Sequence, residues 1–194
     1  MPSTKTAGVL ALQGDFEAHR KALEHAGANV VEVRKAAQLD SIDGLIIPGG
    51  ESTTMLKVLE YEDMFEPLRQ FGLHKPIFGT CAGAILIARS VSNPFQASLS
   101  LMDIEVERNA YGRQLDSRIV NLEVSRDDPR WGNNEIEAVF IRAPIIRKTG
   151  PGVKVLATYL DSPVFAEEGI HLAATFHPEL TRDSRVHRYF VDKL

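Results

Sequence analysis

The sequence predicts an α/β fold: a doubly wound, mostly parallel central sheet covered by helices on both faces, with additional antiparallel strands in the C-terminal half. Two observations predict it. Through the first 90 residues, short continuous apolar runs alternate with segments of helical periodicity, which is typical of a parallel sheet buried on both faces. After residue 100, apolar and polar residues alternate instead, as in antiparallel strands with one solvated face.

Composition and charge indicate one globular domain spanning residues 1–194. Hydrophobic residues make up 44% of the chain and charged residues 25%, and 22 Lys and Arg against 26 Asp and Glu give a net charge of −4. These proportions exclude a disordered or low-complexity chain, and the charge argues against a nucleic-acid binder with a basic surface. The length allows a substantial core, and no long linker divides the sequence.

The lack of a recognisable targeting or membrane segment, together with the cysteine usage, predicts a cytoplasmic protein. No stretch approaches the roughly 18 apolar residues of a membrane helix. Residues 1–8 lack the apolar segment of a signal peptide. The single cysteine, Cys81, cannot form an intrachain disulfide, so it is either a buried small side chain or a reactive thiol.

The elements predicted for the first half are short strands and amphipathic or apolar helices. Strands are predicted at residues 7–13, 29–34, 43–48 and 76–80, and helices at residues 15–26, 52–59, 63–71 and 82–89. The first helix places Phe16, His19 and Leu23 on one face, with charged residues elsewhere. Because His19, His25 and His187 lie in charged helical sequence, we expect all three to be exposed or half-buried.

The second half is predicted to be mainly β-structure. Strands are predicted at residues 101–107, 117–125, 136–142, 153–160, 163–167 and 170–176, followed by a terminal helix at residues 182–194. Gly112 supplies one turn, and residues 127–135, rich in Asp, Asn and Gly, are predicted to form a variable surface loop.

The first chemical motif is a cysteine between a strand and a helix. In FGTCAG (residues 78–83) an apolar strand ends, a turn of small residues carries Cys81, and an apolar helix starts at once. This is the layout of a nucleophile elbow, and Gly79 and Gly83 permit its sharp turn. The helix N-terminus would favour the thiolate, and the backbone N–H of Ala82 would point toward an oxyanion. The glycine frame disfavours the alternative, a buried structural cysteine.

The second motif is HPE at residues 177–179, at the end of an apolar strand. A thiol nucleophile needs a base, and the base needs an orienting carboxylate. His177 can take the proton of Cys81 and later give it to a leaving amine, while Glu179 can hold the imidazole tautomer. Alone, a His-Pro-Glu tripeptide is most often part of an ordinary loop. Its interpretation as a catalytic motif depends on its pairing with the cysteine 96 residues earlier. No group of His, Cys and carboxylates has convincing metal-ligand spacing.

The third motif is PGGESTT at residues 48–54, which also follows a strand and precedes a helix. Its two glycines expose backbone N–H groups, so Gly50 can supply a second oxyanion donor and contacts to a small ligand. The alternative is a capped helix start with Ser52 or Thr53 as the N-cap, and both interpretations can hold. The loop is not a P-loop, because the Gly-Lys-Ser/Thr ending is absent.

Together these motifs resemble those of the class I, triad-type glutamine amidotransferase family. Within that family the chain is similar, over nearly its whole length, to the glutaminase subunits of pyridoxal 5′-phosphate synthase. The nucleophile motif carries the broad resemblance. The similarity to the subfamily is carried by PGGESTTM (residues 48–55), FIRAP (140–144), GVLALQG (8–14), VERN (106–109) and residues 174–180. The resemblance implies a flavodoxin-like α/β fold.

The resemblance also implies a reaction, in which L-glutamine is hydrolysed to L-glutamate and ammonia through a γ-glutamyl thioester. Ammonia then passes to a separate synthase subunit of a hetero-oligomer, which makes pyridoxal 5′-phosphate from a pentose phosphate and a triose phosphate. That compound is the product, and no metal or organic cofactor is implied for this chain. The implied catalytic residues are Cys81, His177 and Glu179. The implied glutamine-binding residues are Gly50, Glu51, Ser52, Arg108, Ile141 and Arg142, with oxyanion donors near Gly50 and Ala82.

Two expectations about the partner follow from this resemblance. Because hydrolysis without the synthase would waste ammonia, we expect the isolated subunit to be poorly active and partner binding to complete the oxyanion hole at Gly49 and Gly50. The interface is expected to use the N-terminal helix and the site-bearing face, although the charges of residues 15–24 also suit a merely solvated helix face. Two other functions stay open: another thiol hydrolase, such as a γ-glutamyl hydrolase or cysteine peptidase, and a non-catalytic binding module.

Overall fold

The structure is a computed structural model that describes residues 5–110, 117–124 and 128–194. The strands are β1 (Thr6–Leu10), β2 (Asn29–Val33), β3 (Gly44–Ile47), β4 (Ile77–Thr80), β5 (Ala88–Ser92), β6 (Met102–Glu107), β7 (Ser117–Glu123), β8 (Glu135–Ile141), β9 (Ile145–Thr149), β10 (Lys154–Tyr159), β11 (Ser162–Glu168) and β12 (His171–Ala174). The helices are α1 (Phe16–His25), α2 (Ser52–Tyr61), α3 (Phe65–Gly72), α4 (Ala82–Ile87) and α5 (Arg185–Val191). Short 3₁₀ helices occupy Ala36–Ser41, Pro129–Trp131 and Pro178–Leu180.

A sheet of seven strands forms the centre of the molecule, in the order β10-β11-β12-β4-β3-β1-β2. All neighbours from β12 to β2 are parallel, and β11 and β10 extend that sheet in antiparallel fashion. Strands β3, β4 and β12 are buried along their whole length, which explains why β3 reads as the continuous apolar run GLII. The predicted fold class is therefore confirmed.

Helices cover the central sheet on both faces. On one face, α2, α3 and α4 contribute Met55, Leu68 and Leu86 to one buried apolar cluster. On the other face, α1 and α5 contribute Leu23 and Phe190 to a second cluster. Two smaller sheets, β5-β6-β9 and β7-β8, flank the central one. Within the described ranges, no helix has both the length and the apolar character that a membrane crossing requires.

The parallel pairing brings the carboxyl ends of four strands to one edge of the sheet. The registers align Val9 of β1 with Ile46 of β3, Ile47 of β3 with Gly79 of β4, and Thr80 of β4 with Ala174 of β12. The segments that follow these strands, which carry all three sequence motifs, therefore lie side by side. Open α/β sheets bind ligands in the crevice at this edge.

The predicted helix at residues 82–89 is too long, because α4 ends at Ile87 and the chain continues as β5. The carbonyl groups of Leu86 and Ile87 accept hydrogen bonds from the backbone N–H groups of Leu99 and Leu101 (2.7 and 3.0 Å), so they cannot continue the helix. Strand β9 was also not predicted, and β6 pairs parallel with β5 as well as antiparallel with β9.

The predicted surface loop at residues 127–135 contains a buried anchor. Trp131 is fully buried and stacks on Tyr189 of α5, with ring centroids 4.9 Å apart. Its burial makes the surface-loop prediction wrong at this residue, since a large aromatic side chain gains more from the core than from solvent. Residue 127, residue 125 of the predicted strand 117–125 and the predicted turn at Gly112 lie outside the described residues. The terminal helix is shorter than predicted and begins only at Arg185.

Candidate active site

Cys81 occupies a strained turn between β4 and α4. Its backbone has φ 49° and ψ −105°, a conformation that residues with a side chain rarely adopt. The backbone N–H of Cys81 donates to the carbonyl of Ala174 at the end of β12 (2.8 Å), which ties the turn to the sheet. The residue is 7% exposed. The turn therefore has the strand–turn–helix form of a nucleophile elbow.

Two glycines let this elbow pack closely against the sheet. A Cβ on Gly79 would lie 2.5 Å from the carbonyl group of Gly83, and a Cβ on Gly83 would lie 2.0 Å from the carbonyl oxygen of Ile47. Both neighbours are backbone atoms, so a larger side chain at either position would displace the start of α4. The glycine frame is what allows Cys81 to stand at the sheet edge.

His177 and Glu179 follow β12 and form a buried pair at the same edge. Nδ1 of His177 lies 2.7 Å from Oε1 of Glu179, and the backbone N–H of His177 donates to Val139 of β8 (2.8 Å). Because Nδ1 engages Glu179, Nε2 is left for the thiol of Cys81. Burial lowers the pKa of His177, but the side chains of Cys81 and Glu179 raise it more, to about 10.

The glycine loop after β3 lies directly against this pair. A Cβ on Gly49 would lie 2.4 Å from Cε1 of His177 and 3.3 Å from Cβ of Cys81. Gly50 has φ 148°, and a Cβ there would lie 2.6 Å from Nε2 of Gln13. The two glycines therefore permit a close approach that no larger residue allows.

These elements enclose a cleft of about 400 Å³, a size that suits a small-molecule site. The predicted residues that line it are Gly50, Glu51, Ser52, Cys81, Ala82, Arg108, Ile141, Arg142 and His177. Four further lining residues, Gln13, Ile85, Asn109 and Pro144, were not predicted from the sequence. Gln13, Asn109 and Pro144 belong to segments that carry the family resemblance. Their place in those segments was the signal that could have identified them as site residues. Glu179 lies behind His177 and is not part of this lining.

Glu51, and not Ser52 or Thr53, caps the N-terminus of α2. Its carboxylate accepts hydrogen bonds from the backbone N–H groups of Thr53 and Thr54 (3.1 and 2.7 Å). The predicted cap is wrong because the longer Glu side chain reaches the free N–H groups from one position earlier. Burial raises the pKa of Glu51, but hydrogen bonds from Thr54 and Thr53 lower it more, to about 2.

Arg108 is fixed against this cap and leaves part of its guanidinium facing the cleft. Nη2 donates to Oγ1 of Thr53 (2.7 Å) and lies 3.4 Å from Oε1 of Glu51. A guanidinium carries five N–H donors, so others are left for a substrate carboxylate. Arg142 approaches the same cleft from the end of β8, with its backbone at φ 43°.

Two buried histidines lie behind Glu179, which corrects the prediction that they are exposed or half-buried. His19 of α1 and His187 of α5 are both fully buried, whereas His25 is exposed as expected. Nε2 of His19 lies 3.2 Å from Oε2 of Glu179, and Nδ1 of His19 lies 2.9 Å from Nε2 of His187. Helical spacing had already placed His19 on the apolar face of α1, and that periodicity was the signal for its burial.

Comparison with known proteins agrees with this arrangement along nearly the whole chain. The profile of the SNO glutamine amidotransferase family matches residues 9–194. A pyridoxal 5′-phosphate synthase subunit PdxT from Solibacter usitatus is 61% identical over 191 residues, which cover 98% of this chain and 100% of that protein. The subunit of the same name from Koribacter versatilis is 56% identical over 184 residues, which cover 95% of this chain and 93% of that protein.

A solved structure has the same fold as this chain. The crystal structure of a glutamine amidotransferase has a TM-score of 0.88 to this chain at 45% identity, covering 96% of this chain and 97% of that one. Identity of this order over whole chains, with the same fold, is what members of one family share. The chain belongs to the SNO glutamine amidotransferase family.

Proposed function

We propose that this protein hydrolyses L-glutamine to L-glutamate and ammonia, with Cys81 as nucleophile, His177 as general acid and base, and Glu179 as the carboxylate that orients His177. The observation that carries this proposal is the meeting of the Cys81 elbow and the His177–Glu179 pair, remote in sequence, at one cleft. Family membership supports glutamine as the substrate. Residues 1–194 form one glutamine amidotransferase domain in this proposal.

The reaction begins once Cys81 has given its proton to His177, whose imidazolium form a pKa of about 10 favours at neutral pH. Sγ attacks the side-chain amide carbon of glutamine, and the carbonyl electrons move to oxygen. His177 donates its Nε2 proton to the amide nitrogen, ammonia leaves, and a γ-glutamyl thioester remains. Neutral His177 then takes a proton from water, which attacks the thioester. The C–S bond breaks and glutamate leaves, with the proton of its new carboxyl group passing to solvent, and the thiolate and imidazolium are restored.

The lining residues have distinct roles in holding the substrate. Arg108 and Arg142 pair with the α-carboxylate of glutamine, since a guanidinium binds a carboxylate in bidentate fashion. The backbone of Gly50 and Ile141, together with Glu51 and Ser52, fixes the amino-acid end. The N–H groups of Gly50 and Ala82 stabilise the oxyanion.

Ammonia is passed to a separate synthase subunit that makes pyridoxal 5′-phosphate, so the protein acts in vitamin B6 biosynthesis in the cytoplasm. The names of the PdxT relatives support this assignment. The synthase binds the face that carries α1. There a groove of about 540 Å³ runs between α1 and residues 179–184, with Glu17, Lys21 and Arg182 in its lining, and its charged rim suits a protein partner. No metal or organic cofactor has a role in the proposed chemistry.

The decisive experiment measures ammonia and glutamate released from glutamine by the complex with its synthase subunit. We expect equal amounts of both products from the wild type and none from Cys81→Ala, with the folded state of Cys81→Ala confirmed by its melting temperature. Cleavage of peptides or of γ-glutamyl chains, with glutamine left intact, would favour another thiol hydrolase. Absence of any turnover in the complex would favour a binding module.

The same assay on the isolated subunit tests whether the partner completes the oxyanion hole. Because a peptide bond between two glycines can rotate at low cost, we expect slow turnover alone and faster turnover in the complex. Equal rates in the two preparations would contradict this part of the proposal.

A further inference from the structure

A buried polar cluster lies behind Glu179, on the side away from the cleft. It consists of Glu179, His19 of α1, His187 of α5 and Thr80 of β4, and each is at most 7% exposed. Nε2 of His19 lies 3.0 Å from Oγ1 of Thr80 and 3.2 Å from Oε2 of Glu179. Among the described residues, no donor forms an aligned hydrogen bond with Oε2 of Glu179; Nε2 of His19 lies within ion-pair distance of it, but its hydrogen bond is with Oγ1 of Thr80. An ionised carboxylate oxygen without a donor is costly in the core, so the state of His19 matters to Glu179.

Both histidines of this cluster are neutral at physiological pH. Burial lowers the pKa of His19 well below 6.5, with further lowering by His187 and His177. Burial also lowers the pKa of His187, to about 4, although Asp183 acts in the opposite direction. Each ring therefore carries one N–H donor and one acceptor nitrogen.

Two proton arrangements are then possible along the His187–His19 contact. In the first, His187 donates from Nε2 to Nδ1 of His19, and His19 carries its proton on Nε2, facing Thr80 and Glu179. In the second, His19 donates from Nδ1 to His187, and the lone pair of its Nε2 faces Oε2 of Glu179.

The second arrangement is disfavoured on two counts. It sets a nitrogen lone pair 3.2 Å from a carboxylate oxygen, where the two repel. It also moves the proton of His187 to Nδ1, which has no hydrogen-bond partner among the described residues. An unpaired buried N–H is rarer in proteins than an unpaired acceptor. In the first arrangement the unpaired nitrogen of His187 is an acceptor.

We propose that His19 is a positioning residue for the catalytic residues: its Nε2–H, held by Oγ1 of Thr80, lies 3.2 Å from Oε2 of Glu179 and attracts it, while Oε1 of Glu179 holds Nδ1 of His177. This inference rests on the proposed function and extends it to a residue that lines no part of the cleft. His19 acts only through Glu179, whose carboxylate it keeps correctly rotated. The titratable groups that face His19 are Glu179 and His177, on the segment after β12, and His187 of α5.

His19→Leu and His19→Gln in the assembled complex test the proposal. Leucine keeps the volume and removes the donor, so we expect kcat to fall about 10- to 100-fold with KM for glutamine nearly unchanged. Because a poorly held Glu179 raises the pKa of His177 less, the basic limb of the pH–rate profile moves to lower pH. Glutamine at position 19 places an amide N–H near the site of Nε2. We therefore expect His19→Gln to restore most of the lost kcat and the wild-type pH position of the basic limb.

His171→Leu is the matched control, because His171 is another buried histidine that instead accepts a hydrogen bond from the backbone N–H of Ile77 (3.1 Å). We expect it to lower the melting temperature without moving the pH limb. A folded His19→Leu variant with the wild-type kcat, or with a lower kcat and an unmoved limb, would overturn the positioning role. Failure of the proposed function looks different, because then the wild type releases no ammonia or Cys81→Ala stays active.

¹⁵N NMR of the imidazole nitrogens tests the same proposal on the unsubstituted chain, and His19→Gln is needed only to assign the signal. The proposal requires a neutral His19 with its proton on Nε2 near neutral pH. A proton on Nδ1 of His19 would overturn it.

Discussion

Gly49 faces the ring of His177, and Gly49→Ala tests how closely the imidazole must be held. A Cβ at this position would lie 2.4 Å from Cε1 and 3.1 Å from Nδ1 of His177, whereas ordinary van der Waals contact begins at 3.4 Å. Gly49 is not among the glycines with positive φ, so alanine is compatible with its backbone conformation. The substitution therefore acts mainly through the contact with His177.

The size of the effect follows from this distance. The ring or the loop must move by about 1 Å to restore ordinary contact, and a misplacement of that size costs about 100-fold in rate. We expect kcat/KM for glutamine to fall about 100-fold, which corresponds to ~2.7 kcal/mol of transition-state stabilisation. The assay is ammonia release by the complex, with the melting temperature measured in parallel.

Gly152→Ala provides the control for this substitution. Gly152 is exposed, also lacks positive φ, and a Cβ there would meet Oε1 of the flexible Glu168 side chain at 3.2 Å. We expect its kcat/KM to equal that of the wild type. A folded Gly49→Ala variant with unchanged kcat/KM would refute the reasoning, because His177 would then not need its present position.

Three further predictions concern the charged and titrating groups. Glu179→Gln removes a group that raises the pKa of His177, so we expect the basic limb of the pH–rate profile to move below its wild-type position near pH 10 and kcat to fall about 1,000-fold or more; an unmoved limb would contradict this. The pKa of His187 is lowered to about 4, so the unfolded chain binds more protons between pH 6.5 and about 4. The free energy of unfolding should therefore decrease as the pH is lowered through that range, by up to about 1.4 kcal/mol per pH unit. Urea titrations at several pH values should show a weaker pH dependence of this free energy in His187→Phe. Arg108→Ala removes a donor to the substrate carboxylate and should raise KM about 10-fold while changing kcat little; steady-state kinetics with an unchanged KM would exclude that role.

Much of the fold could be predicted because local sequence and tertiary position agree. The run GLII in β3 is apolar at every position because both faces of the sheet are covered. Strand β4 is buried at every position for the same reason, so it could be predicted in the same way. The ends of these strands carry Gly-Gly and the Gly-X-Cys-X-Gly frame, so the place of Cys81 could be inferred without knowing any distance.

Features set by distant contacts could not be predicted. The length of α4 depends on Leu99 and Leu101, which take the carbonyls that a longer helix would use. The cap at Glu51 depends on the reach of one side chain, and Ser or Thr are the more common choice. The periodicity of α1 indicated that His19 lies on the apolar face, but its partners Thr80 and Glu179 come from other parts of the sequence and could not be inferred from that pattern.

Covalent trapping of the nucleophile tests the central claim most directly. Mass spectrometry of the active complex, after treatment with an electrophilic analogue of glutamine, should find one label per chain on the sulfur of residue 81. Excess glutamine should prevent the labelling, and His177→Asn should slow it. A fully active complex whose thiol stays unlabelled, or is labelled equally fast in the presence of glutamine, would contradict the assignment of the site.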